Sequence, residues 1–209
     1  MCTMNDQNST LASTTYNPND WLYIPSFNEN ADHREAPRYV LGTRGQNPLI
    51  FICKNPSTAV PNDLDHTLTY ISNYIKQQTT YDSWIVLNLY PVRATNPTNL
   101  PKEMDNRLHQ SNLAAIKFVL SQFDHPHICV AWGVITDRKY FIQCIRDIID
   151  RAEAFQPTYF CIKETEDGHP HHPLYTQIEL KPFDMNKYRE MISNILKNRA
   201  RRATNRTTN

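Results

Sequence analysis

Four short polar words in this chain carry the residue types that could do chemistry. The first is Lys54-Asn55-Pro56-Ser57-Thr58-Ala59, directly after an apolar run. Proline fixes its own φ and holds the residue before it extended, so Asn55 is presented at a strand end. An amide held there can orient a water or read a hydrogen-bonding edge. Ser57 and Thr58 can offer hydroxyls or backbone N–H groups to an anion or a base, or simply close a turn. Asp63 and Asp65 follow; Asp65 or Thr67 is placed to cap the next helix, and either acid could supply a carboxylate near a pocket.

The second word is Asn88, lodged in Ile85-Val86-Leu87-Asn88-Leu89-Tyr90. A buried amide without partners costs on the order of 1–3 kcal/mol, so Asn88 must be met by the fold or by a ligand. Its adjacent donor and acceptor match the amide-like edge of a pyrimidine or purine. Arg93 lies just beyond and could grip a phosphate with two donors or anchor its own loop through backbone carbonyls. The third word is Ala131-Trp132-Gly133, where glycine permits a tight turn or a close approach and Trp132 serves as core or pocket wall.

The fourth word is Gly168-His169-Pro170-His171-His172-Pro173-Leu174-Tyr175. Three histidines in four residues invite a metal reading, but adjacent His171 and His172 do not readily aim at one ion and no cysteine lies at ligand spacing. No metal and no cofactor is expected. A histidine pinned before proline is better placed as a general acid, base or electrostatic stabiliser, and His172 is the candidate. Tyr175 closes the word as a second aromatic contact. Glycine occurs only four times, which disfavours a dinucleotide-binding loop or a P-loop. No G-x-S-x-G elbow occurs.

These words must be positioned by elements, and the hydrophobic pattern supplies them. The continuous apolar run Leu49–Cys53 reads as a strand buried on both faces, Trp84–Tyr90 as a second buried strand, and Ile128–Trp132 and Thr158–Ile162 as a third and fourth strand. Between and after them, helical periodicity appears over 65–77, about 104–123, about 139–151 and 185–198. Strand and helix in alternation predict a three-layer α/β/α sandwich with a central, mostly parallel four-stranded sheet. Such folds place chemistry outside the carboxyl ends of their strands, where the four words fall.

The polar segment 1–20 is expected to be flexible, and residues 21–198 to form a single α/β domain. Within it, 21–40 reads as an irregular cover, broken by Pro25 and Pro37, that leads into a strand. Residues 199–209 read as a basic flexible tail. From residue 197 onward the chain has five cations and no acid, which leaves the first 196 residues at −4 against +1 for the whole. The body therefore has no positive field to draw in nucleic acid, while the tail could touch phosphates in a salt-dependent way.

Five scattered cysteines without a C-x-x-C pair argue for reduced thiols and a cytoplasmic setting. No apolar run approaches the roughly 18 residues of a membrane span, so no membrane partner is expected. The sequence leaves oligomeric state open.

The words resemble those of the bacterial and phage family catalogued as domain of unknown function 1643. Asn55-Pro56-Ser57-Thr58-Ala59, Asn88-Leu89-Tyr90-Pro91-Val92-Arg93-Ala94-Thr95, Trp132-Gly133 and His172-Pro173-Leu174-Tyr175 carry the match over about residues 38 to 180. More distantly, they resemble the uracil-DNA glycosylase superfamily. That resemblance implies a uracil-DNA glycosylase-like fold, with Asn55 positioning the attacking water, Asn88 reading the base and His172 stabilising the leaving base. Here Ser57 stands where some branches have glycine, and Leu174-Tyr175 where a Ser-Pro is usual. The implied activity is a glycosylase-like hydrolase cleaving a nucleobase N-glycosidic bond in DNA. Two alternatives stay open: a hydrolase or transferase acting on free nucleotides, favoured by the acidic body, and a non-catalytic nucleotide or nucleic-acid binding module.

Overall fold

A computed structural model describes residues 16–25, 36–174 and 177–207. Seven strands form one mixed sheet: β1 (Trp21–Pro25), β2 (Arg38–Thr43), β3 (Pro48–Cys53), β4 (Ser83–Asn88), β5 (His127–Val130), β6 (Thr158–Cys161) and β7 (Lys181–Pro182). Among the described residues, four α-helices accompany them: α1 (His66–Lys76), α2 (Asn106–Leu120), α3 (Phe141–Ala152) and α4 (Met185–Thr207). The strand order is β1-β2-β4-β3-β5-β6-β7. The inner four, β4-β3-β5-β6, are parallel, and β1, β2 and β7 add antiparallel edges.

The four parallel strands are those expected from the apolar runs. The sheet is wider than the four strands expected, because β1, β2 and β7 are antiparallel additions with weaker sequence signals. The supposed irregular cover at 21–25 is the edge strand β1, paired residue by residue with β2 until a bulge at Ile24/Pro25. Proline is tolerated there because its missing N–H falls at a strand end. Residues 26–35 of that cover, and 1–15 of the expected flexible segment, lie outside the described residues. Residues 17–20 make a hydrogen-bonded turn, and Arg44 N donates to Asp20 O. The last helix runs to Thr207, beyond the end expected at Asn198.

Both faces of the central strands are covered, which is why they are apolar throughout. On β3, Leu49, Phe51 and Cys53 pack with Leu68, Ile71 and Ile75 of α1, whereas Ile50 and Ile52 pack with α2 and α3. The same alternation on β4 sends Trp84 and Val86 toward α1, and Ile85 and Leu87 toward α2. With a period of two, Asn88 falls on the α1 side, paired in register with Cys53. β3 leads into α1 on one face, and β4 leads into α2 on the other before the chain returns past β3 to β5. This reversal opens a crevice at the carboxyl ends of the parallel strands. Among the described residues, no helix is long and apolar enough to cross a membrane.

Candidate functional site

A cavity of about 450 Å³ occupies that crevice on the α1 side. Such a volume suits a small molecule of nucleoside size class. Asn55, Ser57, Asn88, Trp132 and His172 all line it, so five of the eight expected site residues converge although the chain separates them widely. Thr58 is exposed at the turn and does not reach the cavity wall. Arg93 lies behind the wall, and Tyr175 lies outside the described residues.

Asn88 ends β4 rather than lying within it, so its side chain is the last on the α1 face of that strand. It is 1% exposed, and neither its Nδ2 nor its Oδ1 has a hydrogen-bond partner. Its backbone is held firmly: Asn112 on α2 donates through Nδ2 to the Asn88 carbonyl at 2.8 Å and to the Leu89 carbonyl at 3.3 Å. One asparagine thus fixes the strand end, and the other holds an unused amide beside the cavity. Buried polar groups are otherwise almost always paired, and this orphaned amide belongs to a residue that lines the cavity.

Asn55 follows from a different local cause. Beyond their ends, β3 and β4 stay in register: Leu89 N donates to Cys53 O, Tyr90 N to Lys54 O and Ala94 N to Pro56 O. Asn55 joins the two loops, its Nδ2 donating to Pro56 O at 2.9 Å and to Ala94 O at 2.8 Å. Both amide hydrogens are therefore spent on backbone, and Oδ1 is the atom left for the cavity. Ser57 Oγ and Thr95 Oγ1 share a 3.3 Å hydrogen bond at the rim.

Arg93 resolves the choice left by the sequence. Its Nε donates to Ala36 O at 2.7 Å, its Nη1 to Ser57 O at 2.7 Å and Ala59 O at 3.1 Å, and its Nη2 to Tyr23 Oη at 3.2 Å. The guanidinium is a clasp that shapes the β3 loop from behind.

His172 is set by the loop after β6. Leu174 N donates to its Nδ1 at 3.2 Å, so the neutral ring carries its hydrogen on Nε2. Burial, with the positive charge of Lys54 as a second cause, pushes its pKa down to about 4. The ring is thus a neutral donor at physiological pH. Gly133, at φ 69°, turns the chain after β5, and a methyl there would sit 3.6 Å from His172 Cβ. The left-handed backbone, more than space, asks for glycine.

The neighbouring histidines do other work. His169 is buried and its Nδ1 lies 3.0 Å from Tyr188 Oη, while Trp132 Nε1 donates to the same hydroxyl at 3.0 Å. An indole only donates, so Tyr188 Oη accepts from Trp132 and joins it to His169. Trp132 is accordingly a core residue pinned to α4 that also shows a face to the cavity. His171 N donates to Lys163 O, tying the loop to the end of β6. Among the described residues, no group of three or more His, Cys, Asp or Glu could hold a metal ion.

Sequence reasoning missed two charged features. Lys54 Nζ and Asp137 Oδ2 form a half-buried ion pair at 2.5 Å across the cavity wall. Asp137 sits in an unpatterned loop and carried no signal. Arg38, the first residue of β2, also lines the cavity at 2% exposure. Its signal was legible: a cation opening the apolar stretch Arg38-Tyr39-Val40-Leu41. Of the two suggested acids, Asp65 caps α1 by accepting from Leu68 N at 2.9 Å and lines the cavity, while Asp63 does not line it. Cys53 lines the cavity too, but burial pushes its thiol up to about 12, which excludes a thiolate nucleophile at neutral pH.

The family described as protein of unknown function DUF1643 matches residues 38–174, from Arg38 to the loop holding His172. The chain belongs to the DUF1643 family. The matched span contains every cavity residue described above. No curated protein and no solved structure matches the chain.

Proposed function

We propose that this DUF1643 protein is a glycosylase-like hydrolase that cleaves a nucleobase N-glycosidic bond. The observation that carries the reading is the Asn88 amide, buried and unpartnered, in the wall of a cavity that also receives Asn55 and His172. An amide with both hydrogen-bonding atoms free pairs naturally with the amide-like edge of a base.

The chemistry asked of the site is modest. A water oxygen bonds to the anomeric carbon while the carbon–nitrogen bond breaks, its electron pair leaving with the base. One water proton ends on the released base or in solvent. Asn55 Oδ1, an acceptor, takes one water hydrogen and turns a lone pair toward the sugar. His172, neutral and donating from Nε2, stabilises charge that develops on a base oxygen, and does so more strongly in a site closed to water. The distant resemblance to uracil-DNA glycosylases supports the same three roles.

A second reading, a binding module without turnover, is favoured by one observation: the Asn55 amide nitrogen is committed to two backbone carbonyls, as a structural residue would be. One experiment separates them. Purified protein is incubated with modified oligonucleotides, nucleosides and nucleotides, and free base is measured by mass spectrometry. Base release by the parent, lost in Asn55→Ala and His172→Ala, is the expected result. Binding that survives both substitutions, with no release by the parent, would establish the module instead.

A further inference from the structure

Arg38 is the only lysine or arginine in the buried set among the described residues. Taking a charged group out of water costs several kcal/mol unless partners compensate it. Here compensation is incomplete. Nη1 donates to Ala59 O at 2.8 Å, but Nε is buried without a partner. No carboxylate of the described residues lies within ion-pair distance. Asp65, the acid whose field acts on Arg38, uses Oδ1 to cap α1. The neighbouring Arg93 adds a second positive charge behind the wall, and burial with that repulsion lowers the Arg38 pKa to about 10. The guanidinium remains charged at neutral pH.

β2 runs antiparallel to β4, so the start of β2 lies beside the end of β4, where Asn88 is. Arg38 and Asn88 therefore line the same cavity from adjacent strands, each with a buried polar atom that no protein group satisfies. The first turn of α1 closes this end of the cavity through Thr67 and Leu68. The Lys54–Asp137 pair is internally neutral, so it does not offset Arg38.

We propose that the Arg38 end of the cavity is an oxyanion subsite, and that the ligand read by Asn88 carries a terminal phosphate: a free mononucleotide. The proposal rests on the reading of Asn88 as the base-reading residue and adds the substrate class. Depth is the reason for a terminal group. An anion reaching a cation 2% exposed must enter the cavity whole. An internal phosphodiester would need the chain to leave the cavity on both sides. The acidic body, at −4 over residues 1–196, also gives a polyanion no long-range attraction.

Isothermal titration of the full chain tests this. The probes are ribo- and deoxyribonucleoside 5′-monophosphates, the matching nucleosides, inorganic phosphate, and a short single-stranded oligonucleotide without a terminal phosphate. At least one monophosphate should bind more than about tenfold tighter than its nucleoside, the scale of a charge-assisted hydrogen bond to a buried group. Inorganic phosphate should compete with it. Arg38→Met should bring nucleotide and nucleoside to similar affinity, and Arg38→Lys should keep part of the difference.

Should Arg38→Met fail to fold, the parent affinities and the phosphate competition decide alone. Equal binding of nucleotide and nucleoside, no binding by any phosphorylated probe, or tightest binding by the oligonucleotide would each overturn the proposal. Preferred nucleotide binding without base release would keep the subsite and remove the hydrolase. Base release from nucleosides and nucleotides bound alike would do the reverse.

Discussion

Consider the replacement of Asn88 by leucine. In the unliganded protein the Asn88 amide has two buried polar atoms with no partner. Each such atom costs on the order of 1–3 kcal/mol relative to a satisfied or apolar group. Leucine is close in shape and slightly larger; overpacking costs about 1 kcal/mol where neighbours cannot yield, and the adjoining cavity gives room on one side. The balance is a gain of roughly 1–5 kcal/mol in the unliganded state. For a domain of this size that is a rise in melting temperature of about 2–20 °C.

The same substitution removes the donor and acceptor that read a ligand, so nucleotide affinity and any base release should vanish. Urea and thermal denaturation measure the first effect, and titration with the preferred nucleotide measures the second. Most core substitutions at buried positions destabilise, so a gain in stability joined to a loss of binding is a distinctive signature. If Asn88→Leu instead loses more than about 1 kcal/mol, the amide has a structural role after all. If the variant is more stable and still binds, Asn88 does not read the ligand.

Three other outcomes follow from the geometry. Between about pH 4 and 6.5 the unfolded chain holds a proton on His172 that the folded protein does not, so stability should rise with pH across that window. The full span corresponds to roughly 3 kcal/mol; urea denaturation from pH 4 to 7 should show a flatter dependence in His172→Gln, and identical slopes would contradict the assignment. Lys54→Met removes a positive charge that disfavours the imidazolium, so the His172 ring should titrate at higher pH by NMR; an unmoved midpoint would show that burial acts alone. Arg93→Met breaks the clasp on Ala36, Ser57, Ala59 and Tyr23 and should cost about 3 kcal/mol in denaturation experiments. Lost binding at unchanged stability would instead make Arg93 a ligand contact.

The apolar runs of β3 to β6 and the helical periodicity between them were enough to establish the parallel core, because the inner strands β3, β4 and β5 are buried on both faces and leave a continuous hydrophobic signature. The same signature says nothing of an edge. β1 carries mixed burial and ends at Pro25, and β7 is two residues long, so neither has a period to read. The sequence also located Asn55 and Asn88 at strand ends, since a polar residue closing an apolar run stands out locally, and His172 in a histidine-rich loop. Whether they shared a void was a matter of strand order, which no local pattern contains.

Arg93 and Arg38 mark the division most clearly. From sequence, Arg93 could equally grip a phosphate or anchor its own loop, because it stands in the polar word after β4. In the fold its guanidinium is spent on three carbonyls and a hydroxyl, whereas Arg38 lines the cavity and keeps a buried Nε without a partner. The chain by itself determined which segments are strands and helices, and which polar side chains interrupt them, because burial and periodicity are written locally. Only the tertiary structure decided which cation is satisfied and which is left charged in the pocket, because that depends on carbonyls and carboxylates brought near from distant parts of the chain.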